Sequence, residues 1–377
     1  MIRVASVDLL RGAVMILMAL DHTRDFFSRL RFAPEDLARS YPALFMTRWV
    51  THFCAPIFFL LAGVGASLSL SAGRSRKQLS FFLLTRGLWL VFLELTLIHF
   101  GWWFAYQPPF ILVVIWALGW SMVILSALVF LPHRAIAAIA LVAIFGHNLL
   151  DGIRPESFGA VAPVWNVLHA PGMAVPGKII VGYPLIPWSA VMALGFTLGD
   201  VFRWEASRRK RFLIQMGGAG VVLFVLLRSV NGYGDPVPWA PQRSAAMTAV
   251  SFLNTLKYPP SLLFLLMTLG PALIALALFE RARGRVVDAI SIIGRVPLFY
   301  YVTHLYVIHA LASGLALWQG GQAAFLGLDT GSFPAWYGTG LPGVYLAWAI
   351  VVTILYFPCR WFARVKSTRR NSWLGYM

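Results

Sequence analysis

"SVDLLRGAVMILMALDHTRDF" (Ser6–Phe26) has the length of a membrane span, yet it carries Asp8, Asp21 and Asp25, Arg11 and Arg24, and His22. About 20 apolar residues take a helix across the hydrocarbon core. Ionisable groups within such a helix are costly and normally face a bundle interior or a wet cavity. On an α-helix Arg11 and His22 are separated by about 16 Å of rise and only about 20° of rotation. Asp8, Arg11, Met15, Met18 or Ala19, His22 and Asp25 therefore form one stripe. The stretch reads as an interior helix whose two charged ends serve one task.

The rest of the chain agrees with a bundle in a membrane. Of its 377 residues 59% are hydrophobic and only 12% charged, against about a quarter charged in soluble domains. The formal net charge of +17 is assigned to loops facing the cytoplasm rather than to nucleic acid, because no basic stripe is interleaved with aromatics on a soluble module. Cys54 and Cys359 form no disulfide framework. The expected fold class is all-α, a polytopic integral membrane protein with about ten transmembrane helices, and residues 1–377 read as a single domain.

Candidate spans fall near 7–27, 49–71, 80–101, 109–131, 134–150, 184–203, 212–229, 260–280, 289–314 and 341–362. Alternating these from a cytoplasmic N-terminus puts 21 of the 31 lysines and arginines on one face. The positive-inside rule then predicts both termini in the cytoplasm of a plasma or inner membrane. It also puts seven of the eight histidines, all but His133, in the outer half or outer loops. The outer links, near 28–48, 102–108, 151–183, 230–259 and 315–340, are rich in Pro, Gly and Trp, as covering loops often are.

Arg11, ten residues and then His22 is similar to the first-span spacing of membrane-bound acyltransferases of the type-three family. The fuller Ser-hydrophobe-Asp-x-x-Arg-Gly opening more closely resembles the heparan-alpha-glucosaminide N-acetyltransferase catalytic-domain family. "WVTHFCAPIFFLLAGVGASLSL" (49–70) resembles that family's second span, and "IGRVPLFYYVTHLYVIH" (293–309) its late histidine-bearing span. The resemblance implies acetyl transfer from cytosolic acetyl-CoA to a hydroxyl or amine of an extracytoplasmic acceptor, commonly a saccharide. It also implies a bundle around a central cavity for acyl donor and acceptor. The animal family's second span looks acidic where His52 stands here, and its large lumenal domain has no counterpart.

Arg11, with Asp8 one turn before it and Arg86 and Arg295 on the inner face, is expected to hold the donor's phosphates. His22 is the expected general base, since an imidazole titrates near neutrality. Asp21 or Asp25 would orient it, and His52 and His304 would position the acceptor or stabilise the oxyanion. His309, about 140° around the helix from His304, is expected at the interface. Trp102, Trp103, Trp188, Trp239 and Trp336 suit an aromatic belt. No metal is expected, because no His-Glu-x-x-His or comparable cluster stands out, and no phosphate loop or nucleophile elbow appears. Membrane lipid, acyl-CoA and a saccharide are the expected partners, compatible with a homodimer and with no nucleic acid. The alternative is a secondary transporter of a small solute, which charged and Gly/Pro-interrupted spans also suit.

Overall fold

The computed structural model describes residues 4–320 and 333–368. Arg3, the middle of the 315–340 link and the end of the basic tail lie outside these. The chain is mostly helical. The first half runs through α1 (Ala5–Phe27), α2 (Pro42–Trp49), α3 (Cys54–Ser71), α4 (Arg76–Leu93), α5 (His99–Trp103), α6 (Val114–Leu128), α7 (His133–Gly146) and α8 (Ala162–Leu168). The second half contains α9 (Trp188–Leu198), α10 (Ala206–Val230), α11 (Ala245–Leu253), α12 (Leu262–Phe279), α13 (Arg285–Arg295), α14 (Pro297–Trp318) and α15 (Leu341–Thr368). Seven helical stretches, among the described residues, are long and apolar enough to cross a membrane. The charged α1 and the shorter α6 and α9 are not among them.

Those three are nonetheless interior elements. α1 packs against α3, α12, α13, α14 and α15, which explains how it tolerates six ionisable side chains: they meet protein rather than lipid. Trp348 of α15 donates its indole N–H to the Ile16 carbonyl at 2.8 Å, fixing α15 along α1. α9 lies against α3, α6 and α7. The α3–α9 approach is so close that a Cβ on Gly63 would strike the Met192 carbonyl and one on Gly195 the Leu60 carbonyl. The small-residue run "AGVGAS" thus serves helix contact at Gly63, as small residues do in membrane bundles.

Two expectations of element type are corrected. The expected ninth span over 289–314 is two helices. Pro297 lacks an N–H and opens α14, while Val296 leaves the helical region at φ −130°, so α13 ends at Arg295. The expected all-α fold also contains a small sheet of β1 (Phe110–Leu112), β2 (Gly172–Val175) and β3 (Ile179–Val181), ordered β1-β3-β2. β1 takes the first residues of the apolar run expected as the fourth span, so that helix starts at Val114.

Candidate active site

The sequence stripe on α1 is real in three dimensions, and its two ends meet different partners. At one end Arg11 donates to the Asp8 carboxylate at 3.3 Å and to the Gly294 carbonyl at 3.2 Å. The second contact depends on glycine. A Cβ on Gly12 would strike the Ile290 carbonyl, and one on Gly294 the Asp8 carbonyl, so α1 and α13 touch backbone to backbone. A cavity of about 320 Å³ opens beside this seam. Asp8, Arg11, Arg86, Arg295 and Lys366 supply its charged lining, and Met15, Phe58, Leu118 and Tyr301 are among its apolar and aromatic walls. All four residues expected to hold a donor thus border one space, and Lys366 joins them.

At the other end His22 meets His304. The rings are nearly parallel (23°), with Nδ1 of His22 2.6 Å from Nε2 of His304. Hydrogen bonding assigns the tautomers. His304 Nδ1 faces the carbonyls of Tyr300, at 3.1 Å, and Tyr301, and can only donate to them. Its Nε2 then carries the lone pair and accepts from Nδ1–H of His22. The remaining nitrogen of His22, Nε2, is left with a lone pair able to take a proton. Trp102 packs edge-on against His22 at 4.7 Å, and Phe26 stacks on Trp102 at 5.5 Å.

Tyr301 links the two ends. It lines the cavity, its ring centre is 6.3 Å from that of His22, and its carbonyl receives His304. Its hydroxyl is buried without a hydrogen-bond partner among the described residues. Proximity to the late-span histidine was the only signal in the sequence that could have singled it out.

Asp21 and Asp25 hydrogen-bond elsewhere than to His22. Arg24 donates to Asp21 at 3.0 Å and to Asp25 at 2.7 Å, and Arg48 donates to Asp21. Arg48 continues to Glu35 at 2.7 Å, and His52 Nε2 lies 3.7 Å from the same Glu35 oxygen. His52 is fully buried, against Phe264. This Asp21–Arg48–Glu35–His52 network is separate from the His22–His304 pair. Burial raises the Glu35 carboxyl, but the Arg48 guanidinium and His52 outweigh it and hold the group well below the usual carboxylate range.

Several expected surface residues are interior. His309 is buried, stacked on Phe104 at 3.7 Å with Nδ1 3.1 Å from the Gly101 carbonyl, not interfacial. Trp188 is fully buried between Phe59 and Tyr183 rather than in a belt. Trp102 belongs to the histidine pair as described. A trio the sequence reading passed over, His147, Asp151 and His169, also converges, although "HNLLD" has the i,i+4 spacing that could have drawn attention to it.

The fold defines an integral membrane protein with buried chemistry-bearing side chains. The chain belongs to the heparan-alpha-glucosaminide N-acetyltransferase catalytic family, whose model matches residues 3–228, and it is therefore a transferase. A comparison with curated proteins gives no match. The matched region runs from α1 nearly to the end of α10, so it includes Arg11, His22 and His52 and ends before Arg295, Tyr301 and His304.

Proposed function

We propose that this protein moves an acetyl group from acetyl-CoA, supplied from the cytoplasm, to an amine or hydroxyl of an extracytoplasmic glycan. The observation that carries the reading is Tyr301, shared by the cavity with four cationic side chains and by the His22–His304 pair. Ten crossings follow if α1, α6 and α9 are added to the seven apolar stretches. In support, Val4 at the start of α1 and Lys366 near the end of α15 line the same cavity, as an even number requires. Both termini are then cytoplasmic, and so is the cavity mouth.

In this reading Arg11, Arg86, Arg295 and Lys366 receive the donor's phosphates, with charge-assisted hydrogen bonds. Asp8 holds Arg11 in place. The pantetheine arm follows the apolar wall past Met15 towards Tyr301. The acceptor nitrogen or oxygen attacks the thioester carbon while Nε2 of His22 takes its proton. A C–N or C–O bond forms, and the Tyr301 hydroxyl donates to the resulting oxyanion. The C–S bond then breaks, and the CoA thiolate leaves with the proton carried by His22. His304 orients His22, the role the sequence reading gave to Asp21 or Asp25. Those aspartates, with Arg48, Glu35 and His52, form the acceptor side.

The test uses membrane vesicles given labelled acetyl-CoA and a glucosamine-terminated oligosaccharide. His22→Ala should lower transfer by about 10²- to 10⁴-fold, the range for loss of a general base, and Arg11→Ala should raise the KM for acetyl-CoA. Wild-type transfer by both variants, at normal protein levels, would sink the assignment.

A further inference from the structure

His147 directly follows α7, Asp151 comes one turn later, and His169 follows α8. One ligand atom from each of the three lies within 4.8 Å of the other two. His169 Nε2 is 3.1 Å from Oδ1 of Asp151. The edge of a tetrahedral zinc site with ligands at 2.0–2.1 Å is about 3.3 Å, so this pair already stands at ligand spacing. His147 is 98% buried, being 2% exposed, and neither of its ring nitrogens has a partner among the described residues. A buried imidazole with both nitrogens unpartnered is an anomaly, and a bound cation would engage the lone pair of one of them.

The surroundings are those of a metal site. Asn148 donates to the second oxygen of Asp151 at 2.7 Å, and its own oxygen accepts from the Leu262 amide at 2.9 Å. That orients the carboxylate and leaves Oδ1 turned to the histidines, as outer partners of ligands do.

We propose that His147, Asp151 and His169 bind one divalent transition-metal ion of the zinc type. Two imidazoles and a carboxylate match zinc's ligand preferences and leave a fourth position for an oxygen donor. The ion joins the end of α7 to the segment after α8. The end of α8 is fastened in turn to the approach to α9, through the Leu185 amide on the Val167 carbonyl and the Ile186 amide on the Leu168 carbonyl, both at 2.8 Å. The ion thereby pins the link that carries Tyr183 and leads into α9 at Trp188. This site goes beyond the acetyl-transfer reading, is independent of it, and replaces the expectation of no metal.

The experiment uses the full chain, without a histidine tag, purified in detergent and stripped with a chelator. Zn²⁺ and Co²⁺ are titrated separately, following bound metal after dialysis and the visible spectrum of Co²⁺. Wild type should retain one ion per chain with the intense visible bands of four-coordinate cobalt, and should melt at higher temperature with Zn²⁺ than with chelator. His147→Ala, Asp151→Asn and His169→Ala should each weaken binding by about 100-fold or more, while His133→Ala, which alters a His–Asp pair elsewhere (His133–Asp200, 2.8 Å), should bind as wild type. Wild type that keeps no ion after dialysis overturns the proposal whether or not any variant folds. So does equal binding by the His147 and His133 variants.

Discussion

His22 and His304 lie 282 residues apart in the chain and meet through ring nitrogens 2.6 Å apart. The contact matters because a backbone fixes one of its ends. The carbonyls of Tyr300 and Tyr301 can accept only from Nδ1–H of His304, so the proton positions on both rings follow from one helix turn of α14.

Replacing His304 by Phe keeps an aromatic ring there and removes the acceptor for Nδ1–H of His22. We expect kcat to fall by about 10- to 100-fold as the productive tautomer is lost, a part of the 10²- to 10⁴-fold general-base contribution. KM for acetyl-CoA should change little, because the cations lining the cavity are untouched. Initial-rate measurements over a range of donor concentrations separate the two constants.

Gly294→Ala places a methyl group where the Asp8 carbonyl lies. Overpacking of this kind costs about 1–3 kcal/mol, and the displacement of α13 draws the Gly294 carbonyl away from Arg11. The expected outcome is a lower melting temperature together with a raised KM for acetyl-CoA. An Ala at Gly218, where a Cβ meets no atom within 4 Å, is the matching control.

Arg228 is 1% exposed and donates to four carbonyls, those of Val237, Ser251, Phe252 and Asn254, at 2.7–3.0 Å. It gathers the whole 231–260 link onto the end of α10. Arg228→Ala leaves those acceptors without their donor and should destabilise the protein by about 3–5 kcal/mol, the range for breaking a buried charged network. Thermal unfolding in detergent reads this directly, and kcat measured well below the transition should stay near wild type.

Glu35 supplies a pH test. Its carboxyl is held well below its ordinary value when folded, against burial, by Arg48 and His52. A depressed folded pKa adds stability that is fully present above the unfolded value, near 4.3 for glutamate. That stability is lost as pH falls through the folded value. The melting temperature of wild type minus that of Glu35→Gln should therefore be constant above about pH 6 and shrink as the medium becomes more acidic than the ordinary glutamate range. A difference that grows on acidification would contradict the Arg48–Glu35 assignment.

Much of the bundle was readable from residues near each other in sequence, because helical periodicity is a local property. The α1 stripe, the grouping of Arg11 with the later Arg86 and Arg295, and an interior place for His304 all followed from spacing and pattern. What escaped reading depends on contacts made far along the chain. Asp21 and Asp25 looked like orienting groups for His22 because they flank it, yet Arg24, between them on the same helix, and Arg48 from another helix take them. The break at Val296 was signalled by Gly294, Arg295 and Pro297, but the apolar residues beyond them let the two helices read as one span. The strand at Phe110–Leu112 was hidden, since a short apolar run does not distinguish strand from helix without its partner at Ile179–Val181.

The seam between α1 and α13 has a mechanical consequence. At Gly12 and Gly294 each helix rests on the other's main chain, with no side chain between them to rotate or slide. Two helices joined in this manner travel as one body. Arg11, Asp8 and the end of α13 therefore form a fixed wall of the cavity, to which Trp348 also ties α15, and widening of its mouth falls to the opposite wall, α4 with Arg86.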